Sequence, residues 1–148
     1  MKVVYSEEYK QVYTSDPASA PGRIEAIEIA LRGKVKFIEP VPASEEDILK
    51  VHTPHHIRDV EREGVYDIAA LAAGGAIMAA ETALTEPCFA VIRPPGHHAS
   101  AGSAWGFCYF NNMSIALEKL HREGKINKAF ILDFDLHYGD GNVNILGS

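Results

Sequence analysis

One short stretch alternates acidic and imidazole side chains at the end of an apolar run. Asp133, Asp135 and His137 come directly after that run. Because successive side chains of an extended chain point to opposite sides, these three project together. Such a cluster at the end of a buried strand is costly unless something compensates for its charge. A metal ion is the simplest compensation, since Asp135 and His137 offer one oxygen and one nitrogen ligand, which suits zinc or another first-row divalent ion.

A second group with chemical potential is the pair His97 and His98, which follows another apolar run at 88–92. Imidazole is the usual general acid or base near neutral pH, and a carboxylate behind each ring would fix its tautomer. Asp133 and Asp140 are available for that role. The residues alone also allow a non-functional interpretation of both groups. In that interpretation, a loop and a strand end carry polar side chains that are solvated or paired.

The elements that must position these groups follow from hydrophobic spacing and capping signals. The spacing predicts strands at 2–5, 35–38, 88–92 and 129–135, and helices beginning at Arg23, Ser44 and Pro54 and spanning 67–84 and 112–123. Strand 88–92, helix 112–123 and strand 129–135 form a βαβ unit, which implies a parallel sheet. Sites in such sheets lie beyond the carboxyl ends of the strands. His97-His98 and the 133–137 cluster are both predicted there.

The composition limits the class of protein. The 148 residues are 47% hydrophobic and 23% charged with a net charge of −6, and no basic tract indicates binding to nucleic acid or to an anionic membrane. Cys88 and Cys108 form no C-x-x-C pair and are interpreted as reduced structural residues. The N-terminus lacks a signal-peptide pattern, and no apolar run reaches the length of a membrane span. A cytoplasmic protein is expected.

Three motifs, taken together, carry a family resemblance. Arg93-Pro94-Pro95-Gly96-His97-His98-Ala99, Gly106-Phe107-Cys108-Tyr109-Phe110-Asn111-Asn112 and Asp133-Phe134-Asp135-Leu136-His137-Tyr138-Gly139-Asp140-Gly141 occur in this order. They resemble the histone deacetylase and acetylpolyamine amidohydrolase superfamily. The resemblance implies an α/β fold with three α/β/α layers around a mainly parallel, arginase/deacetylase-like sheet. It also implies that residues 1–148 are the N-terminal portion of a single, truncated deacetylase-type domain.

The resemblance assigns a zinc-dependent hydrolysis of N-acetyl amides to specific residues. Asp135 and His137 would bind the zinc ion. His98 would act as general base for the water that the metal activates, and would later protonate the leaving amine. His97 would stabilise charge in the transition state.

Supporting roles also follow from the resemblance. Asp133 would support His97 and help hold a structural potassium ion, and Asp140 would support His98. Gly106 and Phe107 would line a narrow tunnel for the acylated chain. The family's third zinc ligand and its oxyanion-stabilising tyrosine have no counterpart within these 148 residues.

Other interpretations stay open beside this one. The chain could be an inactive fragment that acts as a binding or assembly module, through self-association or through a complementing C-terminal segment. The substrate could be an acetylated protein, an acetylpolyamine or another small amide. An arginase-like two-manganese ureohydrolase is disfavoured, because Gly139 stands where that chemistry needs a carboxylate. Three histidines, His52, His55 and His56, are interpreted as part of a helix start and a surface, and Trp105 as a packing residue.

Overall fold

The chain forms short parallel strands connected by helices, as described by a computed structural model for residues 1–147. The strands are β1 (Lys2–Val4), β2 (Lys36–Ile38) and β3 (Cys88–Ala90). The α-helices are α1 (Arg23–Leu31), α2 (Glu45–Leu49), α3 (Pro54–Arg62), α4 (Tyr66–Ala83), α5 (Asn112–Arg122) and α6 (Asp140–Leu146). Two short 3-10 helices lie at Glu7–Lys10 and Pro17–Ser19. Within the described range, no helix is both long and apolar enough to cross a bilayer.

The three strands form one parallel sheet in the order β2-β1-β3. The central strand places Val3 opposite Phe37 on one side and Phe89 on the other. Val3 and Val4 are fully buried, as expected for a strand covered on both faces. The predicted α/β class with a parallel sheet is confirmed, and the first three predicted strands form at nearly the predicted positions.

Helix α4 packs close to its neighbours because its middle consists of small residues. A side chain at Gly74 would clash with the backbone at Val41 and Ala43, and one at Gly75 would lie 2.6 Å from the hydroxyl oxygen of Tyr9. The Tyr9 hydroxyl donates a hydrogen bond to a carbonyl of the same helix. The glycines therefore permit the close packing that the sequence predicts, despite their low helix propensity.

The predicted fourth strand, 129–135, is not formed, and this prediction was wrong. The segment has no ladder partner, and Phe130 and Phe134 are almost fully exposed. Within residues 1–147 the sheet contains only β2, β1 and β3, so no strand is hydrogen-bonded to the segment 129–135. An apolar run indicates a tendency to be buried, whereas a strand also requires a partner for its backbone groups.

Candidate active site

Two histidine–aspartate pairs lie side by side beyond the end of β3. The Nδ1–H of His97 donates to Oδ2 of Asp133 over 3.0 Å, and the Nδ1–H of His98 donates to Oδ1 of Asp140 over 2.6 Å. The two imidazole rings are 4.1 Å apart, and His98 is buried. Each carboxylate holds the proton on Nδ1 of its histidine. A neutral ring therefore presents Nε2 as a proton acceptor.

The predicted metal ligands lie next to these pairs. Oδ1 of Asp135 accepts the backbone N–H of His137 over 2.8 Å and lies 3.2 Å from Nδ1 of the same residue. It also lies 4.0 Å from Nε2 of His97, and the His137 ring is 5.9 Å from that of His98. The backbone N–H of His137 is the main cause that lowers the pKa of Asp135. The Asp135 carboxylate is therefore ionised at neutral pH, as the predicted role of metal ligand requires.

The donor pair fits a divalent ion in chemistry and spacing. One oxygen and one imidazole nitrogen 3.2 Å apart can each approach zinc to about 2 Å once the proton on Nδ1 has left. Both side chains are more than half exposed and are not committed to the core. Residues 1–147 contain no cluster of three or more histidine, cysteine or acidic side chains arranged as metal ligands. Asp135 and His137 are thus a pair of candidate ligands, with no third one beside them in the described residues.

Asp133 uses both carboxylate oxygens within the site. Oδ2 accepts from His97, and Oδ1 accepts the backbone N–H of Asp135 over 3.1 Å. Burial alone would raise the pKa of Asp133, but these two hydrogen bonds outweigh it and lower the pKa. Asp133 is thereby fixed as an acceptor between the His97 ring and the Asp135 backbone. Its role in holding potassium stays a prediction.

Trp105 belongs to the site, although the sequence suggested packing alone. Its ring stacks on the His98 imidazole with centroids 3.6 Å apart, and its indole N–H donates to Oδ2 of Asp140 over 2.9 Å. That hydrogen bond, followed by the one from His98, lowers the pKa of Asp140. Trp105 is 53% exposed, so it covers one face of the His98 ring at the surface. The local sequence around Trp105 gives no signal for this contact, because Asp140 lies 35 residues further along the chain.

A cavity of about 620 Å³ opens onto the two histidines. Phe107 lines it, as the tunnel prediction requires, together with Asp135 and His137. Gly106 has a positive φ of 67°, and a side chain there would be in ordinary contact with the His98 ring. A glycine is therefore needed at position 106 for the positive φ, and not to avoid a clash with the His98 ring. Cys108 is buried, which raises the pKa of its thiol to about 11 and disfavours a nucleophilic role.

The interpretation of His52 and His56 as surface residues was wrong, because both are buried. The Nδ1–H of His52 donates to the carbonyl of Ser100, and the backbone N–H of Asn111 donates to its Nε2. His56 donates to the carbonyl of Tyr109 over 2.7 Å. His52 lies just before α3 and contacts both ends of the loop that follows His98, and His56, within α3, contacts the far end of that loop. His55 is exposed, in agreement with the sequence.

The burial of His52 predicts a pH-dependent stability. Burial, followed by the neighbouring His56, lowers the pKa of His52 from 6.5 to about 4. Between these values the unfolded chain binds a proton that the folded chain excludes, so the free energy of unfolding falls as the pH drops. The full shift corresponds to roughly 3 kcal/mol. Urea unfolding across this window should show that loss in the wild type.

Two matched variants separate the contribution of His52 to this pH dependence from that of other titrating groups. The His52→Asn variant should show a flatter dependence of unfolding free energy on pH over the same window. The exposed His55→Asn variant should retain the wild-type slope. Equal slopes in all three proteins would show that His52 is not the titrating group.

Helix α6 holds Asp140 against the loop that carries His97 and His98. The backbone N–H of Asn142 donates to the carbonyl of His97, and Nδ2 of Asn111 donates to Oδ1 of Asn142. A side chain at Gly141 would lie 2.5–2.6 Å from backbone atoms of Ala99 and His97. This glycine therefore sets how closely α6 approaches the two catalytic candidates.

The close approach of Gly141 to the backbone of His97 and Ala99 can be tested by measuring the free energy of unfolding. The Gly141→Ala variant is expected to lose about 3 kcal/mol of unfolding free energy, because a rigid backbone opposes the added methyl group. Gly102→Ala is the matched control, since the nearest atom to its new methyl group would be 3.7 Å away on Thr53. That control should stay within about 0.5 kcal/mol of wild type. Similar losses in the two variants, measured by urea unfolding, would contradict the close approach.

Comparison with known proteins identifies the family. Residues 18–148 match the histone deacetylase domain. The chain belongs to the histone deacetylase family. The resemblance that the three motifs indicate is thereby confirmed, and the paired histidines, their carboxylates and the Asp135–His137 pair lie in the part of the chain that matches.

Relatives within this family match most of the chain. A probable deacetylase of Archaeoglobus fulgidus is 42% identical over 151 residues, which cover 90% of this chain and 40% of that protein. A histone deacetylase-like amidohydrolase of Pseudomonas aeruginosa is 32% identical over 134 residues, covering 78% of this chain and 35% of that protein. The crystal structure of the HDA15 HD domain superposes with a TM-score of 0.84 at 27% identity, covering 97% of this chain and 49% of that chain. The chain spans half or less of the length of these relatives.

Proposed function

We propose that the chain supplies the proton-transfer groups and two metal ligands of a zinc-dependent deacetylase, which hydrolyses an N-acetyl amide. The observation that carries this proposal is the placement of the pairs His97–Asp133 and His98–Asp140 next to Asp135 at one cavity. Family membership supports amide hydrolysis as the reaction class. An acetyl-lysine protein, an acetylpolyamine and other small acetyl amides are the candidate substrates.

Asp135 and His137 are the residues that would hold the metal. When bound, zinc supplies a Lewis acid that polarises the amide carbonyl and lowers the pKa of water. The carboxylate and imidazole of these ligands are accessible from the cavity that also contains both catalytic histidines.

His98 is proposed as the general base. Asp140 and Trp105 fix its ring, so Nε2 is the atom free to take a proton from the attacking water. The same nitrogen then donates that proton to the nitrogen of the leaving amine as the carbon–nitrogen bond breaks. Asp140 stabilises the imidazolium that exists between the two transfers.

His97 is proposed to stabilise negative charge on the reacting carbonyl. Its ring lies 4.1 Å from that of His98, and Asp133 holds the proton on Nδ1. Asp133 thus orients His97 for charge stabilisation, and Asp140 orients His98 for proton transfer. Phe107 contributes an apolar wall, which favours the methylene portion of a lysine or polyamine chain over a polar substrate.

One observation favours a second candidate, a non-catalytic binding module. Only two metal-ligating side chains come together within the described residues, whereas catalytic zinc sites use three protein ligands. Such a module would bind zinc weakly and would not turn over substrate. An arginase-like two-metal site has no support, because Gly139 adjoins Oδ2 of Asp133 and offers no carboxylate of its own.

The experiment that tests the proposal measures acetate release. Purified protein is stripped of metal, reloaded with one equivalent of zinc, and incubated with an acetyl-lysine peptide or with N-acetylputrescine. Zinc-dependent acetate release supports the deacetylase. Zinc binding without acetate release from either substrate would favour the binding module instead.

A further inference from the structure

The loop 99–111 carries part of the candidate site but forms no helix or strand of its own. Trp105 in this loop stacks on the His98 ring with centroids 3.6 Å apart, and Phe107 lines the cavity that opens onto both histidines. An irregular loop has no helical or ladder hydrogen bonds to fix its backbone. Contacts with neighbouring elements must therefore determine where Trp105 and Phe107 lie.

One side chain, His52, holds both ends of this loop. Its Nδ1–H donates to the carbonyl of Ser100 over 3.0 Å, and its Nε2 accepts the backbone N–H of Asn111 over 2.9 Å. This arrangement requires a neutral ring with its proton on Nδ1. Burial lowers the pKa of His52 to about 4, so the ring is neutral at neutral pH. The imidazole therefore bridges the two ends of the loop.

The bridging ring is itself fixed to the fold. His52 lies just before α3, and the side chain of Thr53 caps this helix by accepting the backbone N–H of His56. The backbone N–H of Thr53 also donates to the carbonyl of Ala101 over 2.8 Å. The His52 ring is buried and lies 5.4 Å from the ring of Phe110. The loop is thus attached to the start of a capped helix and to the core.

His56 supports the same loop from one end. Its Nε2–H donates to the carbonyl of Tyr109 over 2.7 Å, and its ring lies 4.9 Å from that of His52. His56 therefore bonds to the end of the loop that precedes α5, whereas His52 bonds to both ends. His52 is the residue whose loss should affect the whole loop.

We propose that His52 is a positioning residue for amide hydrolysis, because its bridge between Ser100 and Asn111 keeps Trp105 stacked on His98. The inference rests on the proposed function, in which His98 is the general base. The described residues that line the cavity do not include His52. It acts through Trp105 and not by touching the substrate.

Removal of the His52 ring would release the loop. The Ser100 carbonyl and the Asn111 N–H would lose a buried partner, and unpaired buried backbone groups are strongly disfavoured. Trp105 is half exposed, so little burial holds it apart from its stack on His98 and its hydrogen bond to Asp140. A shifted loop would uncover one face of the His98 ring. A general base that is less well oriented transfers protons more slowly.

Fluorescence tests the positioning without any measurement of turnover. Trp105 is the only tryptophan of the chain, and an imidazole in contact with an indole quenches its emission. His52→Phe keeps an aromatic ring but removes both hydrogen bonds. It is expected to increase the emission of Trp105 and the quenching of that emission by acrylamide. His52→Gln should cause a smaller increase, because its amide oxygen can still accept the N–H of Asn111.

His55→Phe is the matched control for the fluorescence test. Its side chain is 69% exposed on α3, so the emission and the acrylamide quenching of Trp105 should equal those of the wild type. Circular dichroism verifies that each variant is folded. If His52→Phe does not fold, the comparison of His52→Gln with the wild type decides the test by the same criterion.

A double-mutant cycle with Trp105→Ala tests the kinetic role in the zinc-loaded protein. His52→Gln should lower kcat about 10-fold when Trp105 is present, because the His98 ring is misplaced. In the Trp105→Ala background the same change should lower kcat less than about twofold, since the contact through which His52 acts is already absent. The zinc affinity should stay unchanged, because Asp135 and His137 lie on another segment.

Two results would overturn the inference. One is unchanged Trp105 emission in the folded His52 variants, and the other is an equal loss of kcat in the two backgrounds. If the wild type releases no acetate, the proposed function fails, while the fluorescence comparison still decides whether His52 positions Trp105.

Discussion

A His98→Ala variant of the zinc-loaded protein is expected to deacetylate about 10³-fold more slowly than wild type, with the loss in kcat. The ring of His98 is held by Asp140 and stacked on Trp105, so its Nε2 is fixed for proton transfer. No other imidazole nitrogen in the described residues has this combination of a carboxylate behind it and an aromatic cover. The measurement is steady-state acetate release at saturating zinc.

His55→Ala is the control for that experiment. His55 lies on the exposed face of α3 and contacts only Asp59 as an ion-pair partner. Its removal should leave kcat unchanged. A His98→Ala variant with kcat within tenfold of wild type would exclude His98 as the general base, whatever the zinc content.

An Asp135→Ala variant is expected to bind zinc at least about 100-fold more weakly than wild type. Removing a direct ligand should cost at least as much as removing the partner of a ligand, which typically costs 10–100-fold. The loss is larger here because the site offers only two side-chain donors within the described residues. Competition with a chromophoric chelator at neutral pH measures the affinity.

Asp59→Ala provides the matched control, because Asp59 is a partly exposed carboxylate paired with Arg62 on α3. Its zinc affinity should equal that of wild type. An Asp135→Ala variant with unchanged affinity would place the metal elsewhere in the chain.

The two histidine–aspartate pairings were predicted correctly from the sequence, whereas the strand predicted at 129–135 is not formed. The pairings of Asp133 with His97 and of Asp140 with His98 were expected from family motifs, and both occur at hydrogen-bond distance. Such pairings depend on side-chain type and on loops that meet at one sheet edge. The strand predicted at 129–135 requires backbone hydrogen bonds to a neighbouring strand. The hydrophobic pattern of the segment itself carries no information about such a partner.

Two other differences have physical causes that a single sequence does not reveal. His52 was expected at a surface because it precedes a helix start, yet its two ring nitrogens satisfy buried backbone groups from distant loops. Trp105 was expected to pack, yet it bonds to Asp140, which lies 35 residues further along the chain. Both contacts are long-range. Residue type and helical spacing carry only local information.

The exposed segment 129–138 connects the fold to the proposed chemistry. It carries Asp133, Asp135 and His137, and its apolar side chains are exposed on both sides.

X-ray absorption of the zinc-loaded protein tests most directly whether Asp135 and His137 hold the metal. The proposal predicts a first shell of oxygen and nitrogen atoms at about 2.0–2.1 Å, with imidazole scattering and without sulfur. The imidazole signal should disappear in a His137→Ala variant. A sulfur shell at about 2.3 Å, which would place the metal on Cys88 or Cys108, or imidazole scattering that persists in His137→Ala, would contradict it.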